Sequence, residues 1–240
     1  MNKRAKVIDL PSRLVKRLDP SKPAAEQISA SLKKAILDMS LVPGQIISET
    51  EIGKVFGASR TPVRESFSWL KSQGLVVTYP SRGSYVSKLS IPQMKGSQFV
   101  RESLEVSIAE RLCERGLSDE TLTELQENLD EQKDFVTTGE GAAFHTLDDS
   151  FHAILADGVG HPHISEIIQR EKTGLDRLRV LSLTSPEHLA ILLADHQDIF
   201  DAIRNGEVQK ARQSVRKHLR RVLDTLSDLF VEHHEYFEKH

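Results

Sequence analysis

The fold is decided by residues 47–86, which read ISETEIGKVFGASRTPVRESFSWLKSQGLVVTYPSRGSYV. Ser48, with Glu51 three residues later, predicts a capping box at the start of a short helix, and Gly57 predicts its end. After a tight turn, a second helical pattern begins and tolerates Pro62 in its first turn. Two short helices joined in this way are typical of a helix-turn-helix.

Two β-rich fragments follow the helices, at residues 75–79 and 84–88, and a Pro-Ser-Arg-Gly turn connects them. Arg82 at the tip of this turn can enter a minor groove. Gly83 lets the backbone approach a phosphate closely. The hairpin is therefore predicted to be a DNA-contacting wing, and a purely structural hairpin is the alternative.

The second helix is expected to present its N-terminal end to a ligand. Val63, Phe67 and Leu70 recur at helical spacing, so they face inward and leave the opposite side exposed. Hydroxyl and guanidinium groups at a helix N-terminus suit phosphates and a guanine edge. The candidates for DNA contact here are Ser59, Arg60, Thr61 and Arg64.

Charge is distributed unevenly along the 240 residues, whose net charge is −3. Residues 1–88 contain 15 Lys and Arg against 7 Asp and Glu, whereas residues 89–240 contain 17 against 28. A basic N-terminal part joined to an acidic C-terminal part indicates a reader of a polyanion that carries a separate second module. Accidental clustering of charge on solvated faces is the alternative.

Composition narrows the class of protein and its compartment. With 38% hydrophobic and 28% charged residues, the sequence is typical of a soluble globular protein. Cys113 is the only cysteine, which excludes an intrachain disulfide and a thiolate zinc cluster. No apolar run approaches the ~20 residues that span a bilayer, and residues 1–18 lack the apolar core of a signal peptide. We expect a cytoplasmic protein without a membrane segment.

The predicted fold is mainly α: an N-terminal winged helix-turn-helix followed by a C-terminal all-α bundle. Residues 1–23 are expected to form a flexible arm, and an amphipathic helix is predicted at 24–41 within a winged domain of residues 24–89. The tail HHEYFEKH is expected to fray. The bundle, residues 92–232, is predicted to contain helices at about 92–115, 119–138, 141–157, 162–183, 186–205 and 207–232.

Three histidines and one aspartate of the bundle point where apolar side chains point. His152 follows Asp148 by four residues beside a core-facing stripe, and His196 and His218 lie within stripes of leucines and valines. One divalent cation would satisfy all four groups with nitrogen and carboxylate ligands, which suits Zn, Ni, Fe or Mn. Alternatively, each histidine is an ordinary core residue with a hydrogen-bond partner of its own.

Residues 41–86 resemble a known DNA-binding domain. GASRTPVRESFSWLKSQGLV, preceded by LVPGQIISETEIGKVF and followed by PSRGSYV, is similar to that of the GntR family of bacterial transcription regulators. The resemblance implies DNA contacts by the four residues at the start of the second helix and by Gly83 of the wing. Thr50 stands where some members have an arginine that reaches bases, and because threonine is shorter, operator preference can differ.

The bundle resembles the effector domain of the FadR subfamily, in its metal-binding FCD branch, at DDSFH, ADHQDIFDAIRNGE and ARQSVRKHL. This resemblance implies a divalent metal and a small carboxylate effector bound to it. Arg101 matches an arginine that faces this carboxylate, with an i,i+4 salt bridge to Glu105 as the alternative. His161 and His163 depart from the family, which often has asparagine there. The implied metal ligands are Asp148, His152, His196 and His218, with Asp149 and His145 as weaker candidates.

The leading hypothesis is a ligand-responsive transcription regulator, expected to be a repressor. A homodimer would read double-stranded DNA at a palindromic operator. One alternative is a constitutive DNA-binding dimer whose metal is purely structural. The other is a helical metal-dependent hydrolase fused to a DNA anchor, but the sequence lacks an HExxH motif and an evident general base. We therefore expect a protein that is not an enzyme.

Overall fold

The computed structural model describes residues 17–182 and 186–238. The predicted flexible arm falls mostly on residues 1–16, outside the described residues. The chain forms two compact units: the first comprises the chain up to Ile91 together with the segment from His233, and the second is Pro92–Glu232. Among the described residues, no helix is both long and apolar enough to cross a membrane.

The first unit is the predicted winged helix-turn-helix. Its three-stranded antiparallel sheet has the strand order β1-β3-β2, with β2 and β3 forming the wing. The elements are α1 (Ala24–Leu37), β1 (Ile46–Ile47), α2 (Glu49–Phe56), α3 (Arg60–Ser72), β2 (Val76–Tyr79) and β3 (Gly83–Val86).

The position of α3 is set by its apolar face. Val63, Phe67 and Leu70 are buried, as predicted, in a core shared with α1 and the sheet. Gly57 ends α2 in the left-handed region at φ 61°. A side chain at Gly53 would lie 3.2 Å from the carbonyl oxygen of Ala58, so the turn between α2 and α3 is tight. With its inner face buried, α3 leaves its N-terminal end exposed.

Two local predictions for this unit were wrong in detail, and one short strand was missed. The capping box does not form, because Ser48 is the N-cap of α2 but its side chain makes no capping hydrogen bond. The first helix ends at Leu37 rather than Leu41, because Met39 adopts a left-handed φ of 61°. The strand β1 was not predicted, since Ile46–Ile47 is too short to show alternation.

The C-terminal segment belongs to the first unit, and the expectation that it frays was wrong for its described part. The amide of Leu89 donates to the carbonyl of Tyr236 at 2.8 Å, and the amide of Glu238 donates to the carbonyl of Leu89 at 2.9 Å. Between these bonds, Phe237 is only 1% exposed. An aromatic residue in a polar tail is therefore an anchor.

The second unit is the predicted helical bundle. Its core contains Phe151 and Phe200 with leucines and valines from neighbouring helices. The predicted helix 207–232 is broken at Thr225, whose hydroxyl donates to the carbonyl of Val222 at 3.2 Å. The helices are α4 (Ile91–Arg115), α5 (Asp119–Thr138), α6 (Gly141–Gly158), α7 (Pro162–Ser182), α8 (Pro186–Arg204), α9 (Val208–Asp224) and α10 (Leu226–Glu232).

The burial of Phe237 predicts that the tail stabilises the winged unit. Phe237→Ala should lower its free energy of unfolding by about 3–5 kcal/mol, the usual loss for a buried phenylalanine. Urea unfolding followed by the fluorescence of Trp69, the only tryptophan, reports on this unit. The control is Val231→Ala, because Val231 is 77% exposed. Identical unfolding midpoints for the two variants would contradict the anchor.

Candidate metal centre and nucleic-acid interface

Four ligand-type side chains meet inside the helical unit. Asp148 and His152 lie one turn apart on α6, His196 lies on α8 and His218 on α9. All four are buried, and one ligand atom of each lies within 4.8 Å of the others. The stripes of apolar residues on these helices bring the four together, since each group occupies a core-facing position of its helix.

The imidazole rings turn their Nε2 atoms towards one another. Nε2 of His218 lies 3.0 Å from Nε2 of His152 and 3.3 Å from Nε2 of His196. Oδ1 of Asp148 lies 3.4 Å from Nε2 of His196. Ligands about 2.1 Å from one ion lie about 3.0–3.4 Å apart at octahedral or tetrahedral angles. The separations therefore have the size that a shared ion requires.

The opposite ring nitrogens face partners on other elements. Oε2 of Glu105 lies 2.6 Å from Nδ1 of His152. Oε1 of Gln132 lies 2.7 Å from Nδ1 of His196. Asp195 Oδ2 lies 3.9 Å from Nδ1 of His218. A carboxylate or amide at Nδ1 orients the ring and favours the tautomer with a free lone pair on Nε2.

The two carboxylate oxygens of Asp148 have different surroundings. Oδ2 contacts Nη2 of Arg179, whereas the buried Oδ1 accepts no hydrogen bond among the described residues. Burial would raise the pKa of this carboxyl group, but Arg179 and His196 outweigh it and hold the pKa well below its usual range. Asp148 is thus a carboxylate with one oxygen free to bind a cation.

Burial lowers the pKa values of two of the clustered histidines, His196 and His218. Burial, together with the neighbouring His196, lowers the pKa of His218 to about 3. Burial also lowers the pKa of His196, although Asp148 opposes this effect. Neutral imidazole and ionised carboxylate are the forms that bind a metal ion, and the pKa shifts of His196, His218 and Asp148 favour these forms.

Hydrogen bonds among the rings satisfy these atoms poorly. An imidazole Nε2 carries one proton or one lone pair, so that of His218 cannot pair well with both nitrogens that face it. The alternative of a separate partner for each histidine describes Nδ1 of His196, which faces Gln132 at 2.7 Å, but not the Nε2 atoms. Three nitrogens and one free carboxylate oxygen fit a divalent transition metal.

Arg101 lies next to this cluster. Its Nε lies 2.7 Å from Oε1 of Glu105, so the i,i+4 salt bridge is present. Arg101 also lines a cavity that borders His218. The space inside it that the centre of a water molecule can occupy is about 40 Å³. Its other lining residues are Leu175, Arg179, Ser182, His188, Leu192, Leu219, Arg221, Val222 and Thr225.

The weaker ligand candidates lie outside the four-residue cluster. Asp149 contacts Lys172 and Arg179. His145 is half-buried, and burial lowers its pKa to about 4. His161 and His163 are exposed, and neither lines the cavity.

Sequence reasoning did not find several partners of the cluster. Gln132 lies on the buried stripe of α5 with Leu125 and Leu129, and a polar residue in such a stripe was the available signal. Arg179 and Asp195 are also buried. Charged side chains on long amphipathic helices usually face solvent, so nothing in the spacing distinguished these two.

The predicted DNA-contacting residues form an exposed basic surface on the first unit. Ser59, Arg60, Thr61 and Arg64 are exposed at the start of α3. Thr50 on α2 lines the same groove as the two arginines. Within residues 17–182 and 186–238, neither arginine forms an ion pair, so both positive charges remain available for phosphate or a base edge.

The wing presents a further exposed arginine. Arg82 is exposed at its tip, and Gly83 adopts φ 95°, a conformation that favours glycine. The hydroxyl of Tyr85 donates to the carbonyl of Arg82 at 3.0 Å and so fixes the turn. Arg82 therefore projects from an ordered hairpin.

Comparisons with known proteins agree with both units. The sequence model described as "Bacterial regulatory proteins, gntR family" matches residues 24–86, and that of the FCD domain matches residues 98–221. The HTH-type transcriptional repressor RspR of Escherichia coli K12 is 29% identical over 223 residues, covering 93% of this chain and 97% of RspR. A regulator in an unstable DNA locus of Streptomyces ambofaciens is 35% identical over 212 residues, 88% of each chain.

Solved structures support the fold. E. coli McbR/YncC superposes with a TM-score of 0.73 at 19% identity, covering 86% of this chain and 98% of that one. A GntR regulator from Rhodococcus sp. RHA1 superposes with a TM-score of 0.72 at 22% identity, covering 86% of this chain and 99% of that one. The chain belongs to the GntR family of bacterial regulatory proteins, carries an FCD domain, and is a DNA-binding transcription regulator.

Proposed function

We propose that this regulator binds a divalent transition metal and a small carboxylate effector in its helical unit, and that the effector changes operator affinity. Asp148, His152, His196 and His218 would hold the metal. The observation that carries this proposal is the convergence of three Nε2 atoms and one free carboxylate oxygen in a buried space. When bound, the ion would supply a Lewis-acid position for a carboxylate.

Arg101 is the effector-binding residue in this proposal. It lines the cavity beside His218, and its contact to Glu105 uses Nε. The terminal nitrogens of a guanidinium group suit bidentate recognition of a carboxylate. Glu105 contacts both Arg101 and His152. It can therefore fix the position of the effector-binding arginine relative to a metal-binding ring.

The DNA half of the proposal uses the exposed arginines of α3 and the wing. A homodimer would place two α3 helices in successive major grooves, about 34 Å apart, on a palindromic operator in the cytoplasm. We propose repression that the effector relieves, which requires the effector to favour the arrangement that binds DNA less well. RspR carries the name of a repressor, which supports this direction.

Loss of a ligand should empty the metal site. His196→Ala is expected to bring bound metal towards zero, because it removes one of four donors, while α-helical content remains close to that of the wild type. Elemental analysis of protein purified without chelator measures this. The matched control is His163→Ala, an exposed histidine whose loss should leave metal content unchanged. Equal metal in both variants would contradict the ligand assignment.

Chelation separates a sensing metal from a structural one. With EDTA we expect the bundle to remain folded by circular dichroism and operator binding to lose its response to carboxylates, because only the effector position is removed. Unfolding of the bundle by EDTA would instead favour the constitutive dimer with a structural metal.

The exposed arginines of α3 should account for operator affinity. Arg60→Ala and Arg64→Ala are each expected to weaken binding by about 1–3 kcal/mol, the usual value for a base contact. Fluorescence anisotropy on an operator selected from random DNA with the wild-type protein measures this. Lys71→Ala, at the other end of α3, removes an exposed positive charge as the control. Wild-type affinity in the double arginine variant would refute the contact.

A further inference from the structure

A groove on the winged unit receives residues of α2 that the proposed DNA contacts leave unexplained. The groove lies between α2 and α3, and Arg60 and Arg64 of α3 line it. From α2 it receives Thr50 and Lys54, and Glu49 is its acidic residue. Three cations against one carboxylate make the groove positively charged, as a surface that faces a polyanion requires.

Thr50 and Lys54 form a short stripe on α2. They are four residues apart, so their side chains lie on the same face of the helix, with Cβ atoms about 5–6 Å apart. Both side chains are exposed. Among the residues that the structure describes, the ammonium group of Lys54 forms no ion pair and the hydroxyl group of Thr50 forms no hydrogen bond. One ammonium and one hydroxyl group are therefore available to a ligand in the groove.

The packing of α2 fixes this stripe relative to α3. A Cβ atom at Gly53 would lie 3.2 Å from the carbonyl oxygen of Ala58 in the turn and 3.8 Å from Cγ2 of Val63 on α3. Lys54 follows Gly53 directly, so its main chain is held beside the N-terminal end of α3. When α3 binds DNA, the side chains of Thr50 and Lys54 are therefore carried to the same duplex.

The place of α2 in the motif favours a phosphate over a base as the ligand of this stripe. In a helix-turn-helix the second helix lies in the major groove, whereas the first helix crosses the DNA backbone. Here α2 is the first helix. Ammonium and hydroxyl groups both donate hydrogen bonds to phosphate oxygens. The side chain of Thr50 ends one atom beyond Cβ, so from a helix above the backbone it reaches a phosphate rather than a base edge.

We propose that Thr50 and Lys54 form a phosphate-binding pair on α2, which holds the DNA backbone and takes no part in reading bases. This inference rests on the proposed placement of α3 in the major groove. Lys54 supplies a positive charge, and Thr50 supplies a hydrogen bond. Base recognition is then left to α3 and the wing, while α2 contributes affinity for DNA of any sequence.

The first test measures Lys54→Gln in the full-length protein by fluorescence anisotropy. The duplexes are an operator selected from random DNA with the wild-type protein and variants of it that each change one base pair. We expect the affinity for every duplex to fall by the same factor, because all of them contain the phosphate. The slope of log K against log salt should shrink by about 0.9 for each bound chain. Between 50 and 200 mM salt, this change corresponds to roughly 3.5-fold in affinity for each chain.

Two further lysine variants make this result specific to the charge of Lys54. Lys54→Arg keeps the charge and should retain the wild-type slope. Lys71→Gln is the matched control, because Lys71 is an exposed lysine in the last turn of α3 that does not line the groove. The unfolding midpoint from Trp69 fluorescence verifies that each variant is folded. A wild-type slope in Lys54→Gln would overturn the inference, and so would a loss of affinity that depends on the base pair.

The second test removes the hydroxyl group of Thr50 and keeps the shape of the side chain. Thr50→Val should weaken binding to all duplexes by roughly two- to tenfold, the worth of one hydrogen bond, and leave the salt slope unchanged. A changed order of preference among the duplexes would overturn the role of Thr50. Arg60→Ala separates the two levels of failure. If it weakens binding while Lys54→Gln and Thr50→Val do not, only this inference fails, whereas wild-type affinity in all three variants would contradict the placement of α3 as well.

Discussion

The convergence of three imidazole Nε2 atoms and one carboxylate oxygen inside the helical bundle is the constraint on which the rest depends. A buried polar atom without a partner destabilises a fold by about 1–3 kcal/mol. The bundle satisfies this requirement at Nδ1 of His196, which faces Gln132 at 2.7 Å, and it places the carboxylates of Glu105 and Asp195 opposite the other two rings. The rings come from α6, α8 and α9 and the groups opposite them from α4, α5 and α8, so the centre joins most of the helices of the bundle.

The two units use charge in different ways. In the winged unit the important arginines are exposed and unpaired among the described residues, as a surface that binds a polyanion requires. In the helical unit arginines are held by carboxylates around a cavity. The chain enters the helical unit at Pro92 and leaves it at Glu232, and the returning segment pairs with Leu89 of the winged unit.

Local signals in the sequence predicted much of the architecture, whereas they did not predict contacts between residues far apart in the chain. The helix-turn-helix and wing were predictable because their determinants, such as Gly57, Val63 and Gly83, lie within 40 consecutive residues. The periodicity of the bundle helices pointed His196 and His218 inward, and the structure brings them together. The break at Thr225, the pairing of the tail with Leu89 and the partner at Gln132 depend on contacts that periodicity does not encode.

Anomalous X-ray diffraction from crystals of protein purified without chelator tests the central claim most directly. Data collected on both sides of the absorption edge of the metal locate any bound ion and identify it. The account predicts one anomalous peak per chain, about 2.0–2.3 Å from Nε2 of His152, His196 and His218 and from an oxygen of Asp148. No peak there in protein whose elemental analysis shows bound metal, or imidazoles paired only with one another, would contradict it.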